Sequence, residues 1–393
     1  MKWFALVLLV ALSSAAACSL VTPLDDLGGG GAADSSSEAN DAGTCDADTK
    51  GDPHNCGACG HDCCGGACSA GQCQPLVLAS QQAKPAWVIA DATHVYWEIN
   101  TTSFQFPAPQ TSIMRVGTDG SNLEVFASKR SIFNGVQSDG TRIIWLEASI
   151  DITPFFRIAW VDKTASVVGD AGAQVQYVAA TDPNASSATL RGFYVAPTTM
   201  YWFGNSSTEC PGFSACVFLA PTTNLGARTV IQANTSPYNI ALDSADDDYI
   251  YPWTVKGEIA RFSKTVVDGG LPSDVLTATA EGGVAITAVD DTTLYFTDTS
   301  AGTIYAMPKT PDAGAPKPFA TLQDIPGTVY ATQGEVYWAN ADGIVSCPAT
   351  GCPNGPDKPR VIVAENGITD FAITPSCFYY ANPQSGTIEV VGR

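Results

Sequence analysis

From residue 76 to the carboxyl terminus, apolar and polar positions alternate in short runs rich in β-branched and aromatic residues, broken by Gly, Asp, Asn and Pro. Period-two alternation between turn signals predicts strands, and no stretch sustains a helical period. The clearest runs are paired aromatic or apolar segments: "VYWE", "IIWL", "MYWF", "YIYPW", "LYFTD", "VYWAN" and "FYYAN". Aligned on one residue of each pair, the anchors are Trp97, Trp145, Trp202, Tyr251, Phe296, Trp338 and Tyr380, at spacings of 48, 57, 49, 45, 42 and 42 residues. Before each anchor strand comes an inner strand ending in an Asp or small-residue turn, as in "WVIADATH", "NGVQSDGT" and "AITAVDDT". After it come a third strand, as in "SIMRVGTDG" and "GTIYAMPKT", and an outer one, as in "LEVFAS" and "RVIVAE". A unit of this length with four strand signals predicts one radial four-stranded sheet.

Repetition of the unit predicts an all-β fold, a seven-bladed β-propeller over residues 75–393. The seventh unit stops at Arg393 without its outer strand, and "PLVLAS" at 75–80 matches the missing piece. Closing the ring with that N-terminal outer strand removes an exposed sheet edge. One hairpin leaves its faces in water, whereas radial sheets bury each other's. "LYFTD" and the "YW" pairs resemble YWTD and NHL-type propellers over about 315 residues, although YWTD domains usually carry fewer blades than the seven counted here. The expected role is that of a rigid recognition scaffold, with affinity supplied by loops of units one to three. Because resembling propellers include lyases and lactone hydrolases, the resemblance implies an alternative, an enzyme built on central carboxylates or a divalent metal. An envelope spacer is the third reading.

The chain of 393 residues is 45% hydrophobic and 15% charged, with a formal net charge of -20. That charge repels nucleic acid and anionic lipid, so neither is expected as an electrostatic partner. Residues 1–17 read as an export signal: Lys2, an apolar run from Trp3 to Leu12, then "SSAAAC". Cleavage before Cys18 resembles bacterial lipoprotein processing, which implies lipid on Cys18, although Ala15 stands where that family usually has Leu. An ordinary signal cut that leaves a free Cys18 thiol is the alternative. Residues 18–44 follow as a tether, with five acidic residues and no basic one after Cys18. Such a stretch spans about 28 Å as a flexible chain. The expected location is the cell envelope, with an outer-membrane lipid anchor as the chain's only membrane contact, and the expected state is a monomer.

Residues 45–74 hold seven cysteines, Cys45, Cys56, Cys59, Cys63, Cys64, Cys68 and Cys73, with His54 and His61 among them. Zinc and disulfides both use such spacing; the export signal favours disulfides, since exported small modules are stapled by oxidation. Beyond the block stand Cys210, Cys216, Cys347, Cys352 and Cys377, so both groups are odd once Cys18 is set aside. Full pairing therefore requires a bond between the groups; two free buried thiols are the alternative. Local spacing suggests Cys210 with Cys216 and Cys347 with Cys352, which leaves Cys377. The run "NCGACG" followed by "DCCGGACSAGQC" resembles the cysteine-rich motif of plant stigma-specific proteins and a module at the front of exported myxobacterial proteins. In the resembling motif the second cysteine of "DCC" is the extra one, which implies Cys64 as the donor. Topology puts Cys377 beside the block, in the turn between first and second strands of the seventh unit.

Sites are thinner. Loops between second and third strands are short in units five to seven and long in units one to three: "EINTTSFQFPAPQT" with Phe104 and Phe106, "EASIDITPF" with Phe155, and "GNSSTECPGFSA" with Phe213. Neighbouring enlarged loops on one face suggest a binding surface for a protein or glycan, and drift in tolerant loops is the bland alternative. No nucleophile elbow, metal triad or P-loop is present, and no cofactor is implied. His94 sits in a turn, and Asp243, Asp246, Asp247 and Asp248 form an acidic turn without EF-hand spacing. The enzyme reading is left with Glu281, Asp324 and Asp370 as scattered carboxylates.

Overall fold

A computed structural model describes residues 48–100, 111–130, 132–148, 156–167, 175–177, 192–204, 215–225, 227, 229–233, 240–245, 249–254, 259–263, 273–276, 284–310, 315–368 and 370–393. The chain divides into a unit Met1–Asp46 and a unit Ala47–Arg393, and every described residue belongs to the second. The expected signal, Cys18, the tether and Cys45 lie outside the described residues.

The second unit is an all-β propeller. Seven four-stranded antiparallel sheets are present among the described residues, besides one two-stranded hairpin. Numbering these blades along the chain, the inner strands are Pro85–Ala90, Ile132–Ser138, Gly192–Val195, Ile240–Ala245, Val284–Val289, Val329–Thr332 and Asp370–Ile373. Six blades are contiguous in sequence. The seventh joins Asp370–Ile373, Cys377–Asn382 and Thr387–Gly392 to Leu76–Ala79, the strand that precedes blade 1. Leu76 faces Val390 and Val77 faces Glu389 in that pairing, so both ends of the domain share one sheet.

Alternation along the second strands explains the aromatic pairs. Successive side chains point to opposite faces of a sheet, so each member of a pair packs against a different neighbour. Trp97 is buried with Tyr379 and Val390 of blade 7, while Tyr96 is buried with Val136 and Trp145 of blade 2. Trp338 likewise packs with Tyr295 of blade 5, and Tyr337 with Phe371 and Tyr380 of blade 7. The pairs are staples between blades, and the hydrophobic core is the set of seams rather than a single centre.

Polar bonds reinforce the seams. Asp91, Asp139 and Asp290 each accept backbone N–H bonds from the residues two and three positions on, fixing the turn between first and second strands. Across blades, the Arg115 guanidinium donates to the Lys163 carbonyl at 2.9 Å and Lys163 pairs with Asp91 at 2.7 Å. Blades 4 and 5 repeat the first of these, Arg261 donating to the Lys309 carbonyl.

The cysteine block forms a small module built on the Cys68–Ser69 and Gln72–Cys73 hairpin. Disulfides join Cys56 to Cys68 and Cys63 to Cys73, and Cys59 is also disulfide-bonded. The sulfurs of Cys56, Cys63 and Cys73 lie within 4.8 Å of one another, but each is held in a disulfide, so the zinc alternative has no free thiolates there. A further bond joins Cys64 to Cys377, and Cys347 is bonded to Cys352. Contact with blade 7 is close: a Cβ at Gly392 would stand 2.2 Å from the Asp62 carbonyl oxygen.

Candidate binding face

In this topology the connections between second and third strands and between consecutive blades open on one face, and the turns between first and second strands on the other. Cys377 begins the second strand of blade 7, so the cysteine module occupies the second of these faces. On the opposite, upper face the second strands end and the third strands begin; the enlarged loops expected between them in blades 1 to 3 fall on 101–110, 149–155 and 205–214, outside the described residues. Phe104, Phe106, Phe155, Phe213 and Cys210 lie outside the described residues; Cys216 stands on the third strand of blade 3, opposite Gly204 and Gln232.

Where the upper connections are short, a repeated device holds them. In blade 6 the Gln323 side-chain oxygen accepts from Trp338 Nε1 at 2.9 Å and from Asn340 Nδ2 at 3.1 Å. Blade 7 places Glu365 in the same role, accepting from the Tyr380 hydroxyl at 3.0 Å and from Asn382 Nδ2 at 2.5 Å. Blade 1 retains half of it, Gln82 accepting from Trp97 Nε1 at 3.3 Å. An acceptor fifteen residues before the anchor therefore ties the incoming connection to the anchor ring. Two residues after the anchor, Asp298, Asn340 and Asn382 cap the short turn by accepting backbone N–H bonds. Blades 1 to 4 have Ile99, Glu147, Gly204 and Trp253 at that place. Blade 2 has Arg130 at the acceptor position, and the buried Trp145 Nε1 has no hydrogen-bond partner among the described residues. In sequence these signals are single polar residues whose meaning depends on a partner fifteen positions away, so alternation along the strands does not reveal them.

Gln323 is buried, so its loss strands two buried donors. Gln323→Ala is expected to lower stability by about 1–3 kcal/mol. Gln323→Glu, the arrangement natural to blade 7, is expected to restore most of it; equal loss in both, read by urea unfolding, would refute the latch.

Blades 1 and 2 carry ionisable groups just after the anchor. Glu147 pairs with Arg157 at 3.0 Å, and Arg157 lies 3.6 Å from the Tyr177 ring centroid. Glu98, on the second strand of blade 1, is buried, and burial pushes its carboxyl up to about 8. Of the carboxylates proposed for catalysis, Glu281 lies outside the described residues and Asp324 is exposed on the connection into blade 6. Asp370 is buried at the start of the inner strand of blade 7. Its Oδ2 accepts from the Val88 backbone N–H of blade 1 at 2.9 Å and its Oδ1 from the Thr328 hydroxyl of blade 6 at 2.8 Å. One carboxyl thus spans three blades across the ring closure. Burial pushes it up to about 6 although both hydrogen bonds favour the ionised form. His94 opens the second strand of blade 1 and shares a hydrogen bond between Nδ1 and the Thr93 hydroxyl at 2.9 Å. Asp243 stands on the inner strand of blade 4, and Asp246, Asp247 and Asp248 lie outside the described residues.

No protein-family model and no curated protein matches the chain. Among solved structures it is similar to a streptogramin B lyase, with 11% identity, TM-score 0.54 and coverage of 81% of this chain and 97% of that one. Virginiamycin B lyase from Staphylococcus aureus, in an inactive form with quinupristin, gives 11% identity and TM-score 0.54 over 81% and 98% of the two chains. Raptor from Chaetomium thermophilum gives 11% identity and TM-score 0.53 over 80% of this chain and 28% of that one. At these identities the likeness is one of fold, and the fold is that of the β-propeller.

Proposed function

We propose that this chain is an exported recognition scaffold, lipid-anchored at Cys18 in the cell envelope, that binds a protein or glycan as a monomer through the upper face of a seven-bladed ring. The observation that carries the reading is the Cys64–Cys377 bond. It commits the lower face to the cysteine module. The upper face, with the enlarged loops of blades 1 to 3, is left for a partner. Disulfides agree with an oxidising compartment.

The scaffold reading is preferred to the enzyme reading because of what the described carboxylates do. Asp370 is engaged in two hydrogen bonds that tie blades together, and Asp324 stands apart from it on an exposed connection. Catalysis of the lyase or lactone hydrolase type needs carboxylates converging on a substrate.

The test exchanges the second-to-third loops of blades 1 to 3 for the short "TDTSAG" connection of blade 5. Both proteins, immobilised through residue 48, are offered envelope proteins and glycans. A partner retained by the natural protein and lost by the loop-exchanged one is the expected outcome; equal retention would refute the face assignment. Mass spectrometry of the native protein checks the anchor, with diacylglycerol on Cys18 expected and an unmodified amino-terminal thiol refuting it.

A further inference from the structure

Trp87 is built in a way that neither packing nor the fold requires. It lies on the inner strand of blade 1, in a bulge between the pairs Ala86–Glu98 and Ile89–Tyr96, with a left-handed φ of 54°. Bulky side chains are genuine outliers there, and such outliers gather at functional sites. Blade 6 shows that the bulge is dispensable. Its incoming connection repeats that of blade 1, with left-handed Leu322 and Ile325 where blade 1 has Gln81 and Lys84. Yet Val329–Thr332 pairs in regular register, and Thr328, which matches Trp87, is not left-handed.

The neighbouring blade is shaped to receive the ring. Gly135, left-handed in the corresponding bulge of blade 2, has no Cβ; one would stand 2.6, 2.7 and 3.1 Å from three consecutive carbons of the Trp87 six-membered ring. Near-equal distances to three adjacent ring atoms mean that the indole lies flat over the glycine rather than edge-on. One π-face is thus covered by backbone, and the residue remains 44% exposed.

The inner strands themselves bring only negative formal charge to the ring. None of the seven inner strands contains Lys or Arg, and their only carboxylates are Asp243 and Asp370. Asp370 bonds to Val88, the residue after Trp87. The nearest basic residue in sequence, Lys84, precedes the strand and is exposed. The whole chain adds a net charge of -20. An open tryptophan face in a negative field is the setting for cation–π recognition.

We propose that the upper mouth of the ring binds a compact organic cation, an alkylammonium group, stacked on the free face of Trp87. The site sharpens the reading of the upper face as the binding face and rests on it only for its biological meaning.

Choline is the probe, titrated calorimetrically into the full mature protein beside its uncharged isostere 3,3-dimethylbutan-1-ol. Choline is expected to saturate the natural protein, with the isostere binding at least about tenfold more weakly. Trp87→Gly removes the ring while giving the bulge the residue that blade 2 uses, so folding is expected to persist and choline affinity to fall at least about tenfold. Trp87→Phe is expected to fall between the two. Absence of choline binding, equal binding of the isostere, or undiminished binding by Trp87→Gly would each overturn the proposal. The loop-exchanged protein is expected to keep its choline site. Loss of a macromolecular partner and loss of choline are therefore separate results.

Discussion

Replacing Cys64 and Cys377 together by serine is expected to lower the stability of the propeller by about 5 kcal/mol, the largest effect of any change considered. The bond spans 313 residues of sequence, nearly the whole domain. In the chain-entropy account, a cross-link stabilises by removing conformations from the unfolded chain, and the gain rises with the logarithm of the loop it closes. Cys347 and Cys352, only 5 residues apart, supply the control. Their replacement is expected to remove about 2 kcal/mol by the same reasoning. Denaturant unfolding of both double variants under non-reducing conditions reads the ratio directly. Equal losses would mean that the Leu76–Ala79 strand and the packed seams close the ring without covalent help, and that the long cross-link adds nothing to closure.

The second large effect lies in the pH dependence that Asp370 imposes. Its carboxyl is raised from 3.8 to about 6 by burial. The folded state therefore holds this proton more tightly than the unfolded chain does. Its contribution to stability is complete below about pH 4 and is lost as pH rises through about 6, a change of about 3 kcal/mol. Asp91 acts in the opposite sense and in a lower window. Burial opposes its ionisation, but hydrogen bonds from Lys163, Thr93 and His94 outweigh burial and hold it at about 2. Its contribution is lost as pH falls below about 4. Glu98, raised to about 8, extends the decline upward. Subtracting Asp370→Asn from the natural protein isolates the one group. The asparagine variant keeps an acceptor for the Val88 N–H, and the Thr328 hydroxyl can turn to accept. It is expected to gain on the natural protein by about 3 kcal/mol between pH 4 and 7. Asp370→Ala strands the Val88 donor and is expected to lose about 1–3 kcal/mol at every pH. A flat difference between the natural and asparagine proteins would refute the assignment of the shift to Asp370.

The architecture was legible because it is written many times. The anchors at 42 to 57 residues, flanked by other strand signals in every unit, survive the loss of any one unit. Leu76–Ala79 was recognisable as an outer strand only because the seventh unit lacked one. Arithmetic carried the cross-link: an odd number of thiols on each side calls for a bond between the sides, and Cys64–Cys377 is such a bond. The candidate site was less legible for a physical reason. Packing imposes period-two patterns that many residues share, whereas the latch rests on single polar residues, Gln82, Gln323 and Glu365, that pair with a ring one strand away. Trp87 was hidden more deeply still. In sequence it is one more aromatic in a strand, and only its left-handed backbone and the bare surface of Gly135 set it apart. Asp370, singled out as a catalytic candidate, proves to be a tie between blades, since a carboxylate on an inner strand looks the same in sequence whether it faces substrate or a neighbouring N–H.

Chain order gives the Cys64 bond a mechanical meaning. A pull from the amino-terminal side meets Cys64 before it reaches Leu76, so the load can cross a covalent link into the second strand of blade 7. The strand that seals the ring, held by hydrogen bonds and by the packing of Leu78 and Ala79, is then shielded from the tension it would otherwise be the first to feel.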